Sequence, residues 1–335
     1  MVLLQNTYFY RSVLVWAVLL VVPSEWAKPD NPSGTQTDSG PTRELIDDGH
    51  FTQGCILWEP KTGRHVEYAR IAGVVEALQP VWGLAQWSSR EKLPADAPQP
   101  LATGGVRYAN AAKGVTFGRP GTADADIALA VNAGVEYAGH VRQQGEPWVH
   151  LLVEQKFARP PALDSLTAAH FHIQARLKSA VQHDMPGYTP ALHAAQNQLF
   201  LTLKNCNATS AGFGQLLWFG VPLYDDRQRI PKAYQAKDVG KDDASGMFIF
   251  TVDAGDLTTQ SLHDQAWVTI DTDLLPMMRA GLQAAWQAGF LKDSQSLADY
   301  CISGMNLGWE VPGAFDVEMQ YRDLSLQVTT RSTVE

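Results

Sequence analysis

The sequence predicts a mainly β protein, an antiparallel jelly-roll β-sandwich with one or two short helices. Apolar residues recur at every second position in several segments, turn-forming Gly (27) and Pro (19) are frequent among the 335 residues, and one segment has helical spacing. Because successive side chains on a strand point to opposite faces, this alternation is typical of strands with one buried and one wet face. Many short strands separated by turn residues favour a sandwich.

The most regular alternation lies in residues 169–178. The apolar set is Phe171, Ile173, Ala175 and Leu177, and the polar set is His170, His172, Gln174, Arg176 and Lys178. Residues 198–205 repeat the pattern, with leucines at 199, 201 and 203 facing inward. Further predicted strands are 64–71, 127–131, 149–157, 216–221, 247–252, 267–270 and 315–328.

Two local features refine this prediction. Apolar residues of the last strand occupy odd positions up to Tyr321 and even positions from Leu324, so we expect a β-bulge near Arg322–Asp323. Apolar residues spaced by three and four predict a helix over 273–288, with an acidic N-terminal cap and Gly289 in the left-handed position after its end.

The N-terminal 43 residues predict two segments outside the folded domain. Residues 1–27 contain an apolar run from Val13 to Val22 after Arg11, which is typical of a signal peptide and too short to span a membrane. Residues 28–43 are rich in Pro, Ser, Thr, Gly and Asp and predict a disordered linker. We expect one sandwich domain over residues 44–330, and a secreted or periplasmic protein.

Composition excludes several classes of protein. The 26 Lys and Arg residues against 35 Asp and Glu residues give a net charge of −9, which argues against a nucleic-acid partner. We find no transmembrane segment. Three cysteines, Cys55, Cys206 and Cys301, allow one disulfide with one thiol left over, and the sequence leaves the pairing open. The oligomeric state is also left open.

Both ends of the predicted domain resemble secreted carbohydrate-binding modules with a galactose-binding-like jelly roll. The similarity covers residues 44–54 (ELIDDGHFTQG) with Trp58, and residues 315–326 (FDVEMQYRDLSL). The larger lectin- or glucanase-like sandwiches are the nearest competing resemblance. The resemblance implies a bound glycan and no cofactor other than a structural calcium. Asp323 matches one calcium ligand, whereas Thr52 stands where the family has the other acid.

Two clusters of polar and aromatic side chains are candidate glycan-binding residues. On the wet face of strand 169–178, His172, Gln174 and Arg176 could bind sugar hydroxyls or a uronate carboxylate, although an ordinary solvated face has the same pattern. Around residues 218–229, an apolar run ends in a dense polar segment. Its candidates are Trp218, Tyr224, Asp225, Asp226 and Arg227, and a salt-bridged turn is the alternative interpretation.

A third cluster, residues 306–318, contributes Trp309 as a ligand-binding candidate and Glu310 as an acid. Asp225 and Glu310 are the candidate catalytic acid or base if the protein is an enzyme, since glycoside hydrolysis uses two carboxylates. The main hypothesis is an exported glycan-binding protein that holds a polysaccharide or oligosaccharide on a concave sheet. The alternatives are a polysaccharide-cleaving hydrolase or lyase and a non-catalytic structural protein of the cell envelope.

Overall fold

Two mostly antiparallel sheets pack face to face in this protein. The structure is a computed structural model and describes residues 39–75, 79–240 and 243–332. The mainly β sandwich predicted from the sequence is confirmed, and the described residues contain two α-helices. The predicted signal peptide and most of the predicted linker lie outside the described residues. No helix within the described ranges is long and apolar enough to cross a membrane.

Sheet A has eight strands. In spatial order they are β15 (Val268–Asp273), β10 (Leu166–Gln182), β17 (Phe315–Arg331), β8 (Ile127–Asn132), β7 (Lys113–Phe117), β6 (Val106–Ala109) and β5 (Gln99–Pro100), while β1 (Ser39–Glu44) also pairs with β17. The long β10 and β17 form its centre, and the two strands pair along nearly their whole length.

Sheet B has nine strands. In spatial order they are β13 (Tyr234–Lys237), β14 (Phe248–Thr251), β12 (Leu216–Asp225), β11 (Gln196–Asn205), β16 (Tyr300–Val311), β9 (Val149–Lys156), β4 (Trp82–Ala85), β2 (Cys55–Trp58) and β3 (Glu67–Ile71). Most neighbours are antiparallel, but β12–β14 and β2–β4 are parallel pairs.

The core lies between the sheets and follows the predicted alternation. The apolar sets of β10 (Phe171, Ile173, Ala175, Leu177) and β11 (Leu199, Leu201, Leu203) are all buried. The predicted change of parity in β17 is also confirmed, because two residues of β17, Asp323 and Leu324, bulge opposite Ile173 and Asp323 adopts a left-handed φ of 56°. The bulge returns Leu324 to the core side of the strand.

Two α-helices lie within the described part of the domain. Helix α2 (Leu275–Gln287) confirms the helical spacing and packs against β10 of one sheet and β12 and β14 of the other. Asp273 accepts a hydrogen bond from the Leu275 N–H at 3.0 Å, and Gly289 has a φ of 83° just after the helix. Helix α1 (Ala133–Glu136) is a single turn that follows β8.

The first described strand lies inside the predicted linker. Residues 39–43 belong to β1, which pairs with Thr329, Val328 and other residues at the end of β17. The predicted start of the fold near Glu44 is therefore too late. The prediction was wrong because an edge strand with both faces near solvent needs no apolar residues. Backbone hydrogen bonds hold β1 in place, and the Glu44 side chain accepts a hydrogen bond from the Leu326 N–H at 2.8 Å.

The cysteine pairing left open by the sequence resolves into one disulfide. Cys206 and Cys301 are joined and connect the end of β11 to the start of β16. Cys55 is a buried thiol in β2, and burial raises its pKa well above the ordinary value.

Candidate functional site

The outer face of sheet B carries a cleft of about 620 Å³. Six strands of sheet B (β9, β11, β12, β13, β14 and β16) and several connections contribute side chains to it. Outward-facing positions of adjacent strands fall into rows across the sheet, which brings these side chains together. The lining includes Thr62, Trp87, Arg142, Trp148, His150, Gln196, Gln198, Phe200, Trp218, Tyr224, Asp225, Arg227, Lys237, Asp243, Ser245, Asn306 and Glu310.

One row of polar side chains crosses the floor of this cleft. The strand register pairs His150 with Glu310, Glu310 with Gln196, and Gln196 with Asp225. Neighbouring strands lie about 4.8 Å apart, so Asp225 and Glu310 have Cα atoms roughly 10 Å apart across Gln196. The polar row of these four residues can bind several hydroxyl groups at once.

Asp225 is held as a carboxylate. Arg227 donates to it through Nε at 2.8 Å, through a terminal guanidinium nitrogen at 2.7 Å and through its backbone N–H at 2.9 Å, and Gln196 donates at 2.8 Å. Burial by itself raises the pKa of Asp225, but the hydrogen bonds and charge of Arg227 outweigh it, so the pKa is lowered overall.

Glu310 is largely buried and lies beside a buried histidine. Its side chain is 16 % exposed, and Oε1 lies 3.7 Å from Nε2 of His150, whose side chain is 3 % exposed. The Trp87 ring packs edge-on to His150 with centroids 5.8 Å apart. At 3.7 Å the two groups are close enough for an electrostatic contact at the cleft floor, but farther apart than the roughly 2.6–3.2 Å that direct proton transfer needs.

Aromatic rings form much of the remaining lining. Trp87, Trp148 and Trp218 are all half-buried, and Phe200 packs against Trp218 with ring centroids 6.1 Å apart. Gly220 makes room for the Phe200 ring, since a Cβ there would lie 2.9 Å from Phe200 Cε1. Trp87 and Trp148 lie just outside the ends of β4 and β9, where a side chain need not face the core.

Five of the ten predicted catalytic and ligand-binding residues line the cleft. Trp218, Asp225, Arg227 and Glu310 do so with polar or aromatic groups, whereas the ring of Tyr224 is almost wholly buried. Burial, together with the charges of Asp226 and Asp225, raises the pKa of Tyr224 to about 12. The phenol therefore stays protonated at neutral pH.

Two predicted residues next to the cleft do not line it. Trp309 is fully buried and donates its indole N–H to the Leu129 carbonyl at 2.9 Å, so it belongs to the core. Asp226 accepts a hydrogen bond from the Ala195 N–H at 2.7 Å, and burial raises the pKa of this carboxyl. Trp309 departs from the prediction because side chains alternate along a strand, so Trp309 and Glu310 cannot face the same side of β16. Asp226 follows the end of β12.

The other predicted cluster lies on sheet A, away from the cleft. His172 bonds to Asp271 at 2.9 Å, Gln174 donates to Asp323 at 2.9 Å, and Arg176 donates to Gln320 at 2.9 and 2.6 Å. These three residues line the outer face of the opposite sheet. His172, Gln174 and Arg176 therefore do not share a groove with Asp225 and Glu310, because β10 and β12 belong to different sheets.

Asp323 lies in a small cluster of side chains with metal-ligating atoms. One such atom from each of His50, Asp126 and Asp323 lies within 4.8 Å of the others. Asp126 already accepts from His50 at 2.7 Å and from the Asp323 N–H at 2.9 Å, and Thr52 donates to Asp48 instead of facing this cluster. Calcium prefers six to eight oxygen ligands, so this set of two carboxylates and an imidazole does not fit the implied calcium.

No protein-family model matches the sequence, and no curated protein matches it. Solved structures similar to this chain include a cellulase derived from the Rhodothermus marinus Cel12A enzyme (10 % identity, 74 % of this chain and 99 % of that chain, TM-score 0.37). A family 12 xyloglucanase from Bacillus licheniformis (11 %, 69 % and 96 %, 0.38) and a family 11 xylanase from Neocallimastix patriciarum (9 %, 72 % and 97 %, 0.35) are also similar. At these values they say nothing about the chemistry of the cleft.

Proposed function

We propose that this protein binds a polysaccharide or oligosaccharide chain in the cleft of sheet B. One observation carries the proposal: the polar row of His150, Glu310, Gln196 and Asp225 lies on the floor of a 620 Å³ cleft that three tryptophans also line. Aromatic rings pack on the apolar faces of sugars, while carboxylate, amide and guanidinium groups bind the hydroxyls. The cleft combines both kinds of group.

Export from the cytoplasm is part of the same proposal. The disulfide between Cys206 and Cys301 supports it, since structural disulfides persist in oxidising compartments and are rare in the cytosol. The N-terminal apolar segment predicts the same location, secreted or periplasmic.

Affinity gel electrophoresis against a panel of soluble polysaccharides tests this binding function. We expect at least one polymer to retard the wild type, and Trp218→Ala to weaken retardation about 10- to 100-fold, by loss of roughly 1–3 kcal/mol of contact with an aromatic anchor. Lys178→Ala is the matched control, since this exposed lysine lies on β10 of sheet A. No retardation by any polymer, or equal losses in both variants, would count against the proposal.

Cleavage of the bound chain is a second candidate function, and the placement of Glu310 and Asp225 in one row favours it. Two carboxylates on either side of a sugar ring perform glycoside hydrolysis through a positively charged transition state. In this candidate function Glu310 beside His150 is the proton donor, and the ionised Asp225 stabilises the charge that develops on the sugar. Release of new reducing ends from a retained polymer tests hydrolysis, and absorbance of an unsaturated product tests lyase cleavage.

A further inference from the structure

Three side chains from three chain connections meet beside the cleft: Thr62 follows β2, Ser88 follows β4 and Asp243 follows β13. Thr62 donates to Asp243 Oδ2 at 2.6 Å, and Ser88 donates to the same oxygen at 2.9 Å. The two hydroxyl oxygens lie 3.2 Å apart. We call Thr62, Ser88 and Asp243 the clasp.

The clasp connects opposite sides of sheet B. Thr62 lies in the connection between β2 and β3 at one edge, and Asp243 lies in the connection between β13 and β14 at the other. Five strands, β12, β11, β16, β9 and β4, separate β14 from β2. In a flat sheet that order would place the two edges roughly 30 Å apart, so a direct hydrogen bond requires the connections to meet over the outer face of a curved sheet.

The residues around the clasp hold it in place from both sides. Ser88 adopts a left-handed φ of 59° and donates its N–H to the Pro60 carbonyl at 2.9 Å. A non-glycine residue is strained in this conformation and persists in it where its surroundings fix it. On the other side, Ser245 donates to Asp238 at 2.7 Å and accepts from the Trp218 indole at 3.2 Å.

The clasp and the floor line one space. Thr62 and Asp243 line the same cleft as Gln198 and Glu310 of the floor. A ligand bound to the polar row would therefore lie between the strands of sheet B and the connections that the clasp joins. Side groups on a bound chain would collide with the clasp wherever the chain passes it.

We propose that the clasp makes the cleft a covered passage that selects linear, unbranched chains over branched ones. This inference rests on the proposed glycan binding, and Thr62, Ser88 and Asp243 are its specificity-determining residues. Asp243→Ala removes the shared acceptor of both hydroxyl groups and uncovers the floor, while the polar row and its neighbours stay in place.

A labelling experiment tests the cover without any glycan. Gln198→Cys places a thiol on the floor; among the native cysteines, Cys55 is buried and the other two form a disulfide. Two reagents are compared at each cysteine: N-ethylmaleimide and a maleimide that carries a 5 kDa polymer. We expect the ratio of the polymer-maleimide rate to the N-ethylmaleimide rate to be at least about tenfold lower at Gln198→Cys than at an exposed Lys178→Cys control. Adding Asp243→Ala to Gln198→Cys should raise this ratio to that of the control. If the ratio is already the same at both cysteines when Asp243 is present, the covered passage is overturned.

Affinity gels then test the selection. The members of each of two probe pairs share a backbone and differ in side groups: linear and branched arabinan, and unsubstituted β-1,4-xylan and arabinoxylan. We expect the wild type to retain the linear member more strongly and Asp243→Ala to gain at least about tenfold in affinity for the branched member. Equal gains for both members would overturn the selection. If the wild type retains no polysaccharide, the proposed function and this selection fail, while the labelling still decides whether the floor is covered.

Discussion

Asp225 and Glu310 lie in one row of sheet B, with only Gln196 between them. Their surroundings differ: four N–H groups hold the Asp225 carboxylate, whereas Glu310 lies beside His150. We expect Glu310→Gln to lower any release of reducing ends about 100-fold or more, because glutamine cannot transfer the proton. Retardation by the same polymer should change less than about threefold, since the amide keeps the shape and hydrogen-bonding capacity. Unchanged cleavage by this variant would exclude Glu310 as the acid.

The neighbouring Asp225 and Asp226 should affect stability in opposite directions. The pKa of Asp225 is lowered in the fold, so its stabilising contribution is present above its unfolded pKa of about 3.9 and is lost as the pH falls through the folded value. Asp225→Asn should therefore cost about 1–3 kcal/mol at pH 7 and much less in acid. The pKa of Asp226 is raised, so Asp226→Asn should be neutral or stabilising at pH 7. Thermal unfolding of both variants and the wild type between pH 3 and 7 measures these changes in stability. The same change in stability with pH for both variants would contradict the prediction.

A buried ion pair supports the segment that carries Trp87. Glu136 of α1 pairs with Lys113 of β7, and both side chains are fully buried. Glu136 also accepts from the Ser89 hydroxyl at 2.9 Å and from the Arg90 N–H at 2.6 Å. Burial lowers the pKa of Lys113, and the Glu136 charge opposes that shift.

Removing only one partner of this pair should be costly. We expect Glu136→Ala to lower the free energy of unfolding by about 3–5 kcal/mol, because it leaves a buried ammonium without its carboxylate. The double variant Lys113→Met/Glu136→Leu should recover much of that loss. Urea unfolding measures both variants, and a double variant less stable than Glu136→Ala would show that the pair does more than neutralise buried charge.

The disulfide should contribute to stability by restricting the unfolded chain. Cys206 and Cys301 are separated by 95 residues, and in the chain-entropy model a bond that closes a loop of this length is worth about 4–5 kcal/mol. We expect the Cys206→Ser/Cys301→Ser variant to unfold at a lower denaturant concentration than the oxidised wild type. Adding a reductant should destabilise the wild type and leave the variant unchanged. Equal midpoints for the two proteins would contradict this contribution.

The fold could be predicted because burial leaves a periodic mark on the sequence. Leucines at every second position of β11 face the core, and the parity change around Asp323 marks the bulge in β17. The edge strand β1 leaves no such mark, since both of its faces lie near solvent and backbone hydrogen bonds hold it. The polar composition of residues 39–43 therefore led to the prediction that they belong to the disordered linker.

The candidate site could be predicted only in part. Alternation identifies a wet face, but His172 on β10 and Gln198 on β11 look alike in sequence although they face opposite sides of the sandwich. Alternation does exclude Trp309 and Glu310 from the same face, and applying it there would have corrected the prediction. The clasp had no sequence signal, because Thr62 and Asp243 are 181 residues apart.

The pairing of β1 with β17 bears on how this chain can be shortened. Along one edge of β17, β8 pairs with residues 316–321 and β1 pairs with the backbone of residues 327–331. A chain begun at Leu45 would leave those N–H and C=O groups open along a free strand edge. Open edges recruit strands from other molecules, so such a truncation should promote aggregation even with the cleft intact.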